Sequence, residues 1–159
     1  MKSVSLKELK QELSTHSQSE LLAYCLRLSK FKKDNKELLT YLLFESFDEI
    51  MYVANVKNEI NGQFEQINKT NYYFIRKSVR KILVNTKKYI RYSQKKETEI
   101  DLLLHFCTQL KELNPSIRGN AQLTKLFNTQ IELIKNKISL LHEDLQFDYG
   151  FEVNKLVRL

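Results

Sequence analysis

The chain has 159 residues, of which 42% are hydrophobic and 28% are charged, with a formal net charge of +7. This length is enough for one domain with a sizeable core, and the apolar content is too high for a disordered chain. No apolar run reaches the roughly 18 residues of a membrane span, and the N-terminal residues lack the apolar stretch of a secretory signal. We therefore expect a soluble, cytoplasmic protein, in which Cys25 and Cys107 are buried thiols within Leu-rich helical patterns.

The elements expected along the chain are all helices. Three glycines and one proline are too few for the tight turns of a multi-stranded sheet. Serine–glutamate pairs at capping-box spacing indicate helix starts at Ser5 with Glu8, Ser17 with Glu20 and Ser46 with Glu49. Apolar residues recur at helical spacing in most segments, which predicts helices at residues 5–15, 18–31, 35–46, 48–67, 70–94, 97–113 and 121–145.

These elements predict a single all-α domain spanning residues 1–159. Pro115 and Gly119 mark a chain reversal, so we expect residues 97–113 and 121–145 to form an antiparallel hairpin. Segments 19–24 and 35–41 share an order of residue types, which is a faint sign of a helical repeat. The prediction is a helical bundle or a short α-solenoid of about six to seven helices arranged as antiparallel hairpins.

The C-terminal stretch mixes acidic and aromatic residues. Phe147, Tyr149 and Phe151 alternate with other residues, and this favours an extended tail at residues 144–159 over a helix. One hypothesis is that the tail docks on a neighbouring helix or on a basic segment of the same chain, as an internal mimic of an acidic ligand. The alternative, which we prefer, is a terminal segment that buries its aromatic rings in the core.

The feature that most suggests a function is a basic segment at residues 69–96. It holds ten of the 26 basic residues and none of the 19 acidic ones, so the remaining sixteen basic residues are outnumbered by acids elsewhere in the chain. At about 100° per residue, the cations occupy one arc of a helix and the apolar side chains occupy the opposite arc. Tyr73 falls within the cationic arc, and Tyr92 falls at its border.

Like charges four residues apart, such as Lys77 and Lys81, destabilise a helix by a few tenths of a kcal/mol, roughly, per pair. Retaining such pairs suggests that an anionic partner neutralises them. We therefore expect a non-enzymatic binding module that uses this face on a polyanion, RNA or DNA, without a cofactor or a metal. The candidate binding residues are Lys69, Arg76, Lys77, Arg80, Lys81, Lys87, Lys88, Arg91, Lys95, Tyr73 and Tyr92.

Within this set, Arg76, Arg80 and Arg91 are the candidates for two-pronged phosphate contacts. Three alternatives remain open. The face could bind an acidic protein surface, so that the chain is a protein-interaction scaffold. It could also be solvated or paired with acids of the same chain. Binding to an anionic membrane surface is the weakest of the three, because the opposite arc is committed to the core.

One enzymatic alternative rests on three carboxylates. Glu45, Asp48 and Glu49 share a helix face, as a Mg²⁺ site requires. The segment from Glu45 to Asp48 loosely resembles the first motif of the all-α nucleotide pyrophosphohydrolases, which would imply Mg²⁺-dependent hydrolysis. The second carboxylate pair of that family has no counterpart at the matching distance. The sequence otherwise lacks the glycine-rich, serine-elbow and zinc-binding motifs of common enzymes.

Overall fold

A computed structural model describes residues 1–158 and divides the chain into two compact units, residues 1–44 and 45–159. The described residues form helices and turns without a strand, which confirms the all-α class. That residues 1–159 form a single domain stays a prediction. No helix in the described part of the chain combines the length and apolar character that a membrane crossing needs.

The first unit contains three short helices, α1 (Leu6–Leu13), α2 (Gln18–Phe31) and α3 (Lys33–Thr40), and runs into a π-helical turn at Tyr41–Glu45. The two capping boxes expected in this unit, at Ser5 and at Ser17, are present. Among the described residues of this unit only Tyr41 is buried, so its leucines remain partly or fully exposed. Cys25 is exposed as well, and the prediction that it is buried was wrong.

The second unit is a helical bundle built around one central helix. Its elements are α4 (Glu49–Glu65), α5 (Tyr72–Ser93), α6 (Lys96–Lys111), a 3-10 turn (Ile117–Gly119), α7 (Ala121–Ile138) and α8 (Glu143–Val157). Helix α6 packs against α4, α5, α7 and α8. Its side chains are buried on several sides, and burial raises the pKa of the Cys107 thiol to about 12, as suits an inert core cysteine.

Most expected helices lie where the periodicity places them, with one local correction. Asp48, rather than Ser46, is the N-cap of α4, and its side chain accepts a hydrogen bond from the Met51 amide. Asn120 caps α7. The described residues contain one helix more than the seven expected, because α7 ends at Ile138 and α8 follows it. The antiparallel arrangement of the hairpins stays a prediction.

Helix α8 replaces the extended tail expected at residues 144–159, which is a correction. Alternation over three aromatic residues is also compatible with a helix, because Phe147 and Phe151 are one turn apart on one face. Tyr149 and Val153 are one turn apart on the other face, and Val153 is buried. Helix α8 packs on α7 and α6, so the tail docks on neighbouring helices. Phe147 and Phe151 remain exposed, so the preferred interpretation was wrong for these two rings.

Polar contacts attach α8 to α6. The Tyr149 hydroxyl is in polar contact with the half-buried carboxyl of Asp101. Burial raises the pKa of Asp101, and attraction to the Lys57 charge partly offsets this shift. Burial and the nearby Asp101 charge both raise the pKa of Tyr149. Near the end of α8, the ammonium group of Lys111 donates to the backbone carbonyl of Leu156 at 2.7 Å. Tyr149, the middle residue of the three alternating aromatic residues, therefore helps to attach α8 to α6.

We expect Asp101→Asn to raise the free energy of unfolding at neutral pH. The folded-state pKa of Asp101 lies above its ordinary value of 3.8, so the folded protein holds this proton more tightly than the unfolded chain does. Ionising the carboxyl at higher pH therefore costs stability, whereas asparagine is neutral and still offers an oxygen to Tyr149. In urea titrations the advantage of the variant should narrow as the pH falls towards 3.8. A variant less stable than wild type at neutral pH would contradict this account.

A second prediction concerns the two units. We expect a fragment of residues 45–159 to keep its helical circular dichroism and to melt cooperatively, because its bundle holds nearly all of the buried residues. The matched fragment of residues 1–44 should not melt cooperatively, because its helices are short and bury almost nothing. A sharp melting transition in the short fragment, or none in the long one, would count against this division.

Candidate nucleic-acid interface

Helix α5 carries the basic segment and is positioned by its apolar stripe. Asn71 caps its start, where its side chain accepts a hydrogen bond from the Phe74 amide at 3.2 Å. It packs against α4 and α6. The side chains buried in this contact include Ile75, Val79, Ile82, Thr86 and Ile90. The cations lie on the remaining surface, as the helical periodicity predicted.

Most of the predicted cations are accessible. Arg76 and Lys88 are half-buried, and the exposed ones are Lys69, Lys77, Arg80, Lys81, Lys87, Arg91 and Lys95. Lys88 and Lys95 are considered separately below. The other seven predicted cations form no ion pair with an acidic side chain of the described residues. We define the basic face as six cations of α5, Arg76, Lys77, Arg80, Lys81, Lys87 and Arg91, together with Lys69, which precedes the helix and therefore does not lie on the helical arc where the sequence placed it.

Lys95 does not belong to this face, although the sequence placed it there. Its ammonium nitrogen lies 3.0 Å from Oε2 of Glu49, the first residue of α4. The other oxygen of Glu49 accepts hydrogen bonds from the hydroxyls of Thr98, at 2.6 Å, and Ser93. Glu49 thereby joins the start of α4 to the end of α5 and the start of α6. The charge of Lys95 is neutralised within the fold.

Lys88 lies at the margin of the basic face. Its ammonium nitrogen is 5.1 Å from the centre of the Tyr89 ring, which is within the range of a cation–π contact. The hydroxyl of Tyr89 donates to Oε1 of Glu59 on α4 at 2.6 Å. An acidic side chain therefore borders α5 on the side of α4, and Lys88 is not included in the basic face.

The two tyrosines predicted as binding residues are placed differently. Tyr73 is 61% exposed, with the edge of its ring against Phe74. Tyr92 is only 9% exposed and packs against Tyr89, so it is not available for stacking on a base. Val84 is 65% exposed and, by helical spacing, lies among the cations. Sequence reasoning missed Val84 because an isolated apolar residue does not alter a charge pattern.

The first half of α5 borders the 3-10 turn and the start of α7. The Tyr72 hydroxyl donates to the carbonyl of Ser116 at 2.8 Å, and it leaves no room for a side chain at Gly119. Arg80 donates to Oε1 of Gln122 at 3.1 Å. Close to this contact, a surface depression of about 750 Å³ is lined in part by two exposed cations, Arg118 and Lys125. These cations lie outside residues 69–96, and the acidic residue Glu132 also lines the depression.

Two of the three carboxylates of the enzymatic alternative have structural roles. Asp48 caps α4, and Glu49 is held by Ser93, Thr98 and Lys95. Within residues 1–158, no three His, Cys, Asp or Glu side chains come together as metal ligands would. Glu45, Asp48 and Glu49 therefore do not form the expected carboxylate cluster.

Comparisons with protein-family models, with curated proteins and with solved structures gave no match. The possible function of α5 is therefore inferred from its charge, exposure and contacts.

We expect Glu49→Ala to lower the free energy of unfolding by about 2–3 kcal/mol, because it leaves Ser93, Thr98 and Lys95 without their shared acceptor. Urea denaturation measures this change. The matched control is Glu65→Ala, which removes an exposed acid near the other end of α4 and should cost less than about 0.5 kcal/mol. Equal effects of the two substitutions would mean that Glu49 is not the junction of these helices.

Proposed function

We propose that the basic face of α5 binds a polyanion, and that its ligand is RNA or DNA. The observation that carries this proposal is that its cations are largely exposed and form no ion pair with acids of the described residues. The chain therefore leaves this charge for a ligand to neutralise. In this proposal the protein is a non-enzymatic binding module without a cofactor.

The energetic balance explains how such a face can persist without its ligand. Each like-charge pair four residues apart, such as Lys77 with Lys81, costs roughly 0.2–0.5 kcal/mol. Each buried Ile or Val of the opposite stripe contributes about 1.5–3 kcal/mol. Burial therefore outweighs repulsion, and α5 folds with its cations in place. Bound phosphates would remove the repulsion and release counterions, which favours association.

The dimensions of the face suit a nucleic-acid backbone. From Lys77 to Arg91 the helix rises about 21 Å, a length over which one strand of a duplex presents about six phosphates. Arg80 and Arg91 are exposed and can each grip two phosphate oxygens, whereas half-buried Arg76 has less reach. Exposed Tyr73 offers a ring on which an unpaired base can stack, so we favour single-stranded or structured nucleic acid over a duplex groove.

A second candidate is an acidic protein surface. Val84, exposed among the cations, favours it, because an isolated aliphatic group gains more from an apolar side chain than from a phosphate. In this alternative the chain is a protein-interaction scaffold. Both candidates weaken as salt rises, so salt dependence alone does not separate them.

The experiment is fluorescence anisotropy with short labelled RNA and DNA, single- and double-stranded, across a salt series. If about four phosphates of a single strand are contacted, the affinity should fall roughly 50-fold between about 50 and 200 mM salt. Charge reversal of Lys77, Arg80 and Arg91 to Glu should abolish binding, because these residues supply exposed charge across the face. Circular dichroism checks that the variant remains folded.

The matched control reverses three exposed lysines on other helices, Lys10, Lys30 and Lys36, and so changes the net charge by the same amount. It should bind within about threefold of wild type if the basic face, and not the net charge of the chain, determines the affinity. Equal loss in both variants would mean that binding follows net charge and not the basic face. Absence of binding at low salt would end the nucleic-acid proposal and leave the acidic protein as the candidate.

A further inference from the structure

Helix α8 exposes a face that the fold of its own unit does not use. Phe147 is 78% exposed and Phe151 is 69% exposed, although large aromatic side chains are among the most costly to leave in water. The two rings are one turn apart on the same side of the helix. Tyr149 and Val153 occupy the opposite side, which packs on the bundle. The exposed rings therefore contribute no packing to the described fold.

Exposed acidic side chains lie beside these rings in the first half of α8, whereas Lys155 follows Phe151 by one turn on the same side. Glu143, Asp144 and Asp148 are exposed on the same side of α8 by helical spacing. Within this group, Oδ2 of Asp144 lies 3.6 Å from Nδ1 of His142, and both side chains are highly exposed. We define the acidic–aromatic face as Phe147, Phe151 and these three acids. It combines negative charge with a large apolar surface, the pattern of a protein-binding surface and not of a solvated one.

The complementary surface is present in the same chain. The basic face of α5 carries positive charge along about 21 Å of helix, and the acidic–aromatic face of α8, from Glu143 to Phe151, covers about 12 Å, so it fits within that length. Val84 and Tyr73 are exposed on α5 among or beside its cations, where they can contact aromatic rings. Within one chain the two helices do not cover each other, because α5 packs on α4 and α6 whereas α8 packs on α6 and α7.

We propose that the acidic–aromatic face of α8 docks on the basic face of α5 in a second copy of this chain. Two such contacts, related by a two-fold axis, would give a closed dimer in which each copy supplies one helix to each contact. The inference rests on the proposed function in one respect, that the α5 face binds anionic groups. It adds regulation, because the docked α8 would occupy the surface that nucleic acid needs, so self-association and nucleic-acid binding would compete.

The experiment measures self-association of the full chain by sedimentation velocity at low and high salt. We expect a concentration-dependent dimer at low salt that weakens as salt rises. Two variants test the surfaces separately, Asp144→Lys with Asp148→Lys on α8, and Lys77→Glu with Lys81→Glu on α5. Each should weaken self-association at least about tenfold, because each puts like charges against each other across both contacts.

Mixing the two variants is the decisive step. In the mixture, both contacts pair opposite charges again, so a mixed dimer should form although neither variant associates alone. The matched control, Glu65→Lys with Glu132→Lys, reverses exposed acids on α4 and α7 and should dimerise like wild type. Circular dichroism shows whether each variant is folded. The pair Phe147→Ser and Phe151→Ser gives a second route, since it should weaken the dimer without altering charge.

Several outcomes would overturn the inference. They are a wild-type chain that stays monomeric at low salt, a dimer that both reversed variants still form, and a mixture that does not associate. A failure of the dimer proposal can be told apart from a failure of the proposed function. Fluorescence anisotropy with the Asp144→Lys and Asp148→Lys variant measures nucleic-acid binding while α5 is unchanged. If both proposals hold, that variant should bind nucleic acid at least as tightly as wild type, and added RNA or DNA should dissociate the wild-type dimer.

Discussion

The second unit depends on the burial of α6. This helix has apolar side chains in several directions, and a helix of that kind is stable only when others surround it. Helices α4, α5, α7 and α8 do so, and each therefore has one side on α6 and another side facing outward. The residues of α6 that are buried are Thr98, Ile100, Leu102, Leu103, Leu104, Phe106, Cys107 and Leu110. The outward sides of α5 and α8 carry the two charged surfaces, so both surfaces follow from how the core is filled.

The parts of the fold that local patterns control could be predicted from the sequence. The stripe and the cations of α5 share one helical period, so identifying the buried side also identified the exposed one. Lys95 was misassigned because it follows Gln94, whose left-handed φ of 58° ends the helix and its period. Its partner, Glu49, is distant in the sequence. Tyr92 was placed at the border by angle alone, whereas its burial depends on packing near the end of α5.

The remaining errors have a common origin in contacts between distant residues. For α8, a short alternating pattern suited either an extended or a helical segment, and the contacts of Tyr149 with Asp101 and of Val153 with the core favour the helix. Cys25 was expected to be buried because its helix is rich in leucine, yet the first unit has almost no core to bury it in. The cations Arg118 and Lys125 were missed because the contact between Arg80 and Gln122 joins residues 42 positions apart in the sequence.

The two proposals concern the same cations and therefore limit each other. A phosphate backbone and the acidic–aromatic face of α8 cannot both neutralise Lys77 and Lys81, so any ligand that stabilises one complex reduces the population of the other. Salt weakens both through their charges, but the aromatic rings add apolar contact that salt does not screen. Raising the salt concentration should therefore shift the balance from nucleic acid towards the dimer. In this proposal the apolar contacts of Phe147 and Phe151 determine the salt concentration at which the dimer replaces the nucleic-acid complex.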